Sequence, residues 1–127
     1  IEHFALWTRD LERMKRFYEE HFGGTAGEMY HNPKTDFRSY FISFSTGARL
    51  EIMSKMVVGE GVYEDDLPFA GYAHLAFAVG SEAGVDELTG RLAGEGYQVV
   101  SEPRRTGDGY YESCVLDPEG NRVEITV

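Results

Sequence analysis

The chain has one cysteine, Cys114, among its 127 residues. An internal disulfide is impossible, which excludes the small scaffolds held together by disulfides in oxidising compartments. Flanked by Ser113 and Val115 in a strand-like run, Cys114 reads as a small core filler. Long apolar runs are missing too: nothing approaches the roughly 20 residues a membrane helix needs. No signal-peptide pattern is visible, so the expectation is a cytoplasmic protein with no membrane partner. Basic residues are few, 12 against 22 acidic ones, and the net charge is −10. Such a surface repels phosphate backbones and anionic lipid, and no basic stripe offsets it, which argues against a nucleic-acid partner. What is present is apolar substance: 42% hydrophobic and 13% aromatic residues build a real core. The length suits one compact domain over 1–127.

An internal repeat organises the chain. Gly47-Ala48-Arg49-Leu50-Glu51-Ile52 is echoed by Gly120-Asn121-Arg122-Val123-Glu124-Ile125, 73 residues later. His3-Phe4-Ala5 is echoed by His74-Leu75-Ala76, 71 residues later. Two anchors near opposite ends of each half keep nearly the same offset.

The local patterns follow the same division. A short apolar and aromatic stretch at 1–8 suits a strand. Asp10 offers an N-cap, and Leu11, Met14, Phe17, Tyr18 and Phe22 recur at helical spacing until Gly23-Gly24. Strands follow at 25–31, 37–45 and 48–54, with turns at Asn32-Pro33-Lys34-Thr35 and Thr46-Gly47. The second half has a strand at 72–79. Ser81 or Glu82 opens a helix carrying Val85, Leu88, Leu92 and Ala93, and Gly94 and Gly96 close it. Strands at 97–102, 110–116 and 122–127 complete it, with Asp117-Pro118-Glu119-Gly120 as the turn before the last. The reading is two strand–helix–three-strand half-modules, 1–54 and 72–127, of an α+β protein. The connector, 55–71, is acidic around Glu64-Asp65-Asp66; it reads as a solvated loop long enough to line a site.

Strand alternation sorts the side chains. Val123, Ile125 and Val127 share one face, and Arg122, Glu124 and Thr126 the other. Leu50 and Ile52 oppose Arg49, Glu51 and Met53. His74 lies with Ala76 and Ala78, and His3 with Ile1, Ala5 and Trp7. A glutamate alternating with Val and Ile is ordinarily just the wet face of a strand, and a lone strand histidine is ordinarily structural. The joint pattern says more. Each half places a histidine on its first strand and a glutamate on its last, among small or aromatic neighbours. His3, Glu51, His74 and Glu124 are therefore candidate ligands of one divalent metal. Two imidazoles and two carboxylates suit Zn, Ni, Co, Mn or Fe(II) without selecting among them. Four protein ligands leave positions open for substrate, as in a catalytic site. His21, at a helix end, and His31, beside a turn, read as surface residues.

The chain resembles the vicinal oxygen chelate superfamily, which includes glyoxalase I, bleomycin-binding proteins and extradiol dioxygenases. The resemblance spans essentially the whole chain. It rests on the paired module order, the first-strand His3 and His74, the Asp117-Pro118-Glu119-Gly120-Asn121 turn and the closing Val123-Glu124-Ile125. It implies two tandem βαβββ modules in an open eight-stranded mixed β-barrel with outer helices, and commonly a homodimer. The His3, Glu51, His74, Glu124 set matches the bacterial glyoxalase I arrangement. That implies a metal-dependent lyase or isomerase acting on vicinal oxygens through a metal-stabilised enediolate, with Glu51 and Glu124 as the candidate catalytic bases. A non-catalytic binder of small molecules on the same fold is the alternative; an Fe(II) oxygenase would ordinarily use three ligands and have no need of Glu51. Two departures bear on the small-molecule substrate. Trp7 stands where bacterial glyoxalase I has an arginine that helps hold glutathione, and Met53-Ser54-Lys55-Met56 stands where an Asn-Trp pair is expected. The resemblance implies hemithioacetals of 2-oxoaldehydes as substrates; Trp7, as a substrate-pocket residue, opens the option of a different, less anionic one.

Overall fold

A computed structural model describes residues 2–58, 74–107 and 109–127. The chain divides into two compact units, Ile1–Asp65 and Asp66–Val127. Most of the expected connector, and the start of the strand expected at 72, lie outside the described residues.

The first unit runs β1 (His3–Trp7), α1 (Leu11–Phe22), β2 (Thr25–Ala26), β3 (Tyr30–Asn32), β4 (Phe37–Ser43) and β5 (Arg49–Ser54). Asp10 caps α1 by accepting a hydrogen bond from the Arg13 amide at 2.9 Å. Gly23 ends it in the left-handed region at φ 67°. The next glycine has a different job. A Cβ on Gly24 would lie 2.5 Å from Ile42 Cγ2 and 3.0 Å from the Tyr18 carbonyl oxygen, so only glycine lets the chain leave the helix this close to the sheet. The sheet order is β1-β5-β4-β2, with β3 also on β4. β1 and β5 are parallel, and β4 is antiparallel to β5, β2 and β3. α1 lays Leu11, Met14, Phe17 and Tyr18 against Tyr40, Ile42, Leu50 and Ile52, all buried. At roughly 1.5–3 kcal/mol for each large apolar side chain, this stripe dominates the unit's stability.

The strand expected at 25–31 is split. Ala26 pairs with Ile42 and Tyr30 with Ser39, so Gly27, Glu28 and Met29 face only Tyr40 and Phe41. This extra residue is a bulge. It separates β2 from β3, with the Gly27 amide still bonded to the Phe41 carbonyl at 2.9 Å.

The second unit runs β6 (Leu75–Ala78), α2 (Glu82–Gly94), β7 (Val99–Arg105), β8 (Tyr111–Leu116) and β9 (Arg122–Thr126). Ser81 is the N-cap, its hydroxyl accepting from the Gly84 amide at 3.0 Å. The sheet order is β6-β9-β8-β7, with β6 parallel to β9 and the other neighbours antiparallel. Val85, Thr89 and Leu92 of α2 are buried, as are Ser113, Val115, Val123 and Ile125 of the sheet. Ala93 is exposed, while Thr89, which the apolar periodicity skipped, faces inward. Its hydroxyl is satisfied there by the Val85 carbonyl and Ser113 Oγ, both at 2.6 Å. Val127, expected on the core face, is exposed just beyond the end of β9. Both units thus build the α+β, strand–helix–three-strand order expected from the sequence. Among the described residues no helix is long and apolar enough to cross a membrane.

Candidate metal centre

In the first unit the parallel pairing of β1 with β5 sets Ala5 opposite Glu51 and Trp7 opposite Met53. Paired residues project to the same side of a sheet, so His3, Ala5, Trp7, Glu51 and Met53 share a face. His3 Nε2 lies 3.9 Å from Glu51 Oε2. The Glu51 side chain is mostly buried, that of His3 partly exposed.

The other side of the His3 ring is held. Its Nδ1 donates to Glu2 Oε2, which leaves Nε2 facing Glu51. Arg49 Nε donates to the other Glu2 oxygen at 2.7 Å, and a second guanidinium nitrogen joins it. The hydrogen bond from His3, and then that from Arg49, hold the Glu2 carboxyl below its usual pKa. Phe41, opposite Glu51 on β4, meets the His3 ring edge-on with centroids 5.3 Å apart, and Arg49 lies 4.2 Å above the Phe41 ring.

The second unit repeats the register. Ala76 pairs with Glu124, and His74 is two residues before Ala76, as His3 is before Ala5. His74 Nε2 lies 3.1 Å from Glu124 Oε2. Cys114 is opposite Glu124 on β8, and is buried as expected. Burial is the main cause that raises the Glu124 carboxyl above its usual pKa; Glu112 adds to this, while His74 and Arg104 oppose it.

Each unit therefore brings one predicted imidazole to one predicted carboxylate. Among the described residues no group of three or more His, Cys, Asp or Glu side chains gathers within ligating reach. The chemistry of each pair suits a divalent cation. Neighbouring ligands with bonds of about 2.0–2.2 Å stand about 3 Å apart around one ion. The 3.1 Å of His74 and Glu124 meets that spacing. The 3.9 Å of His3 and Glu51 is wider.

Trp7 lies on the His3 face, half-exposed, edge-on to Phe37 with centroids 6.0 Å apart. His31 is exposed as expected and bonded to Asp36 at 3.0 Å. His21 is not a surface residue. It is buried, its ring 5.3 Å from that of Phe17, because the helical stripe that buries Phe17 and Tyr18 returns at position 21. Sequence reasoning missed Glu2, Phe41 and Arg49. For Arg49 a signal existed: it stands two residues before Glu51, as Arg122 stands before Glu124 in the repeat.

Paired strand–helix–three-strand modules, each bringing a His at the start of its first strand (His3) or one residue before it (His74) to a Glu on its last strand, define the class of protein. The chain belongs to the Glyoxalase/Bleomycin resistance protein/Dioxygenase superfamily, whose family model matches residues 1–125. Solved structures share the fold. A glyoxylase/bleomycin resistance protein/dioxygenase domain from Frankia sp. EAN1pec aligns over 100% of this chain and 95% of its own, with TM-score 0.81 and 20% identity. Glyoxalase I from Zea mays aligns over 98% of this chain with TM-score 0.78 and 22% identity, and this chain spans 43% of it. The trypanothione-dependent glyoxalase I of Leishmania major aligns over 98% of this chain and 83% of its own, with TM-score 0.74 and 20% identity. In sequence, the chain is 38% identical over 58 residues to the protein YqjT of Bacillus subtilis (strain 168), a match that spans 43% of this chain and 45% of that protein.

Proposed function

We propose that the chain is a metal-dependent lyase or isomerase of the glyoxalase type, acting on a small substrate with neighbouring oxygens. The observation that carries this reading is the repeated register: in each unit an imidazole Nε2 faces a carboxylate of the last strand, from His3 on β1 and from His74 just before β6. His3, Glu51, His74 and Glu124 are the residues that would hold the cation, which is Zn, Ni, Co or Mn. When bound, it supplies Lewis-acid polarisation of two adjacent substrate oxygens, which acidifies the intervening C–H. The chain's own residues do the rest. Glu2 and Phe41 hold the His3 ring with Nε2 toward Glu51. Glu51 and Glu124 are the two candidate bases. Either would take the proton from one carbon and return it to the next.

The test is protein purified without chelators, its metal measured, then assayed after reconstitution against hemithioacetals of glutathione and of other thiols. The expected result is near-stoichiometric metal and turnover that Glu51→Gln or Glu124→Gln abolishes while the fold persists. Full activity in both variants with metal retained overturns the mechanism.

The second reading is a non-catalytic binder of small molecules. The exposed aromatic side chain of Trp7 beside the candidate site favours it. Protein that neither retains nor recovers any of the four metals is the outcome that selects it.

A further inference from the structure

We infer that the end of the first unit's sheet beyond Ala5 is a recognition subsite for an aromatic ring that carries a carboxylate. The inference rests on the reading above for the reacting end of the substrate and names the chemistry of its far end. Along β1, His3, Ala5 and Trp7 alternate with Phe4 and Leu6 and share one face. Four residues of strand set Trp7 about 13 Å from His3. The only side chain between them on that strand face is the Ala5 methyl, so a ligand can lie flat from one to the other.

The far end is built from three strands. The Trp7 ring is edge-on to Phe37, with centroids 6.0 Å apart at 86°, and Phe37 meets Tyr30 at 6.0 Å and 57°. Trp7 stays 44% exposed and Tyr30 56% exposed, so this ring cluster is left facing solvent. The Lys55 ammonium lies 5.0 Å from the centroid of the Trp7 ring. In a chain of net charge −10, a cation set over an exposed tryptophan is a local reversal of sign. Exposed ring faces attract a planar apolar group, and the ammonium attracts an anion next to it. One ligand satisfies both, an aryl carboxylate. Continuity with the His3 and Glu51 face favours the tail of a small substrate over a protein partner.

Trp7 is the one tryptophan of the chain, so its emission reports on this subsite alone. The experiment titrates the metal-free full chain with phenylacetate, benzyl alcohol and acetate and follows that emission. Phenylacetate is expected to give a saturable change with an affinity at least about ten-fold above those of benzyl alcohol and acetate. Lys55→Met is expected to lower phenylacetate to the level of the alcohol. The wild-type comparison stands even if that variant misfolds. No saturable change, a smaller preference, or an unchanged phenylacetate affinity in a folded Lys55→Met overturns the proposal. So does emission that varies with protein concentration and ignores all three ligands, which marks the patch as a contact between copies. Because no metal is present, failure here is separate from failure of the cation reading, which shows in metal retention.

Discussion

His74 Nε2 lies 3.1 Å from Glu124 Oε2, although 50 residues separate them in the chain. The contact exists because β6 runs parallel to β9 and places Ala76, two residues after His74, directly beside Glu124. β1 and β5 set His3 and Glu51 in the same diagonal relation, 3.9 Å apart. If each pair is half of a ligand set, removing one member weakens the whole. His74→Ala is expected to lower Zn affinity at least about ten-fold, measured by competition with a chromogenic chelator. An unchanged affinity in the folded variant would remove His74 from the ligand set.

Glu2 touches the candidate site only through His3. Glu2→Gln keeps the size of the side chain but exchanges a charged acceptor for a weaker neutral one beside Nδ1. The expected result is a shift of the His3 tautomer population away from Nδ1–H, read by nitrogen NMR of the ring, and a loss of Zn affinity of about ten-fold. A purely structural role for Glu2 leaves the tautomer unmoved.

Asp117 is buried at the turn before β9 and organises it. Its Oδ1 accepts from the amides of Glu119 and Asn121, both at 2.9 Å, and its Oδ2 from Asn121 Nδ2 at 2.8 Å. Asp117→Ala leaves those donors without their partner. Urea denaturation is expected to show a loss of about 2–3 kcal/mol. Misplacement of β9 also moves Glu124, so on the proposed function metal affinity is expected to fall with it.

Gly24→Ala pushes a methyl to 2.5 Å from Ile42 Cγ2, inside the core of the first unit. The backbone must move, since the Tyr18 carbonyl closes the other side at 3.0 Å. The expected cost is about 1–3 kcal/mol by thermal or chemical unfolding. Gly23→Ala tests a different cause, the strain of φ 67°.

Alkaline stability tracks Tyr40. Its hydroxyl donates to Glu12 Oε1 at 2.8 Å; this bond, and then burial, raise its pKa above the usual 10.0. The folded chain therefore keeps a proton that the unfolded chain has released, so the contribution is complete below pH 10 and is lost as pH rises through the folded value. Urea midpoints above pH 10 are expected to fall more steeply in the wild type than in Tyr40→Phe. Parallel slopes would show that the Glu12 bond does not hold the proton.

Much of this was legible in the sequence because it is set locally. Asp10 and Ser81 cap their helices through bonds that close within three residues. The alternation of Leu50 and Ile52, or Val123 and Ile125, fixes which strand face is buried. The repeat placed His3 on a first strand and Glu51 and Glu124 on last strands; His74, expected inside a strand at 72–79, stands one residue before β6. Other features depend on partners far along the chain. The bulge at Gly27 to Met29 exists only relative to β4. Arg49 and Phe41 join Glu2 in holding His3 only after β1, β5 and β4 pair. His21 is buried because the helix lies on the sheet, which its sequence position alone does not state.

The sequence by itself determined the two-module order, the capped helices and the four candidate ligands, since periodicity and capping act over a few residues. Only tertiary structure decided that each histidine stands two positions off its glutamate's register partner and that Glu2 orients one of them. Alternation and turns limit the register, but β1 with β5 and β6 with β9 join segments distant in the chain, so which residues stand side by side is settled only when those strands pair.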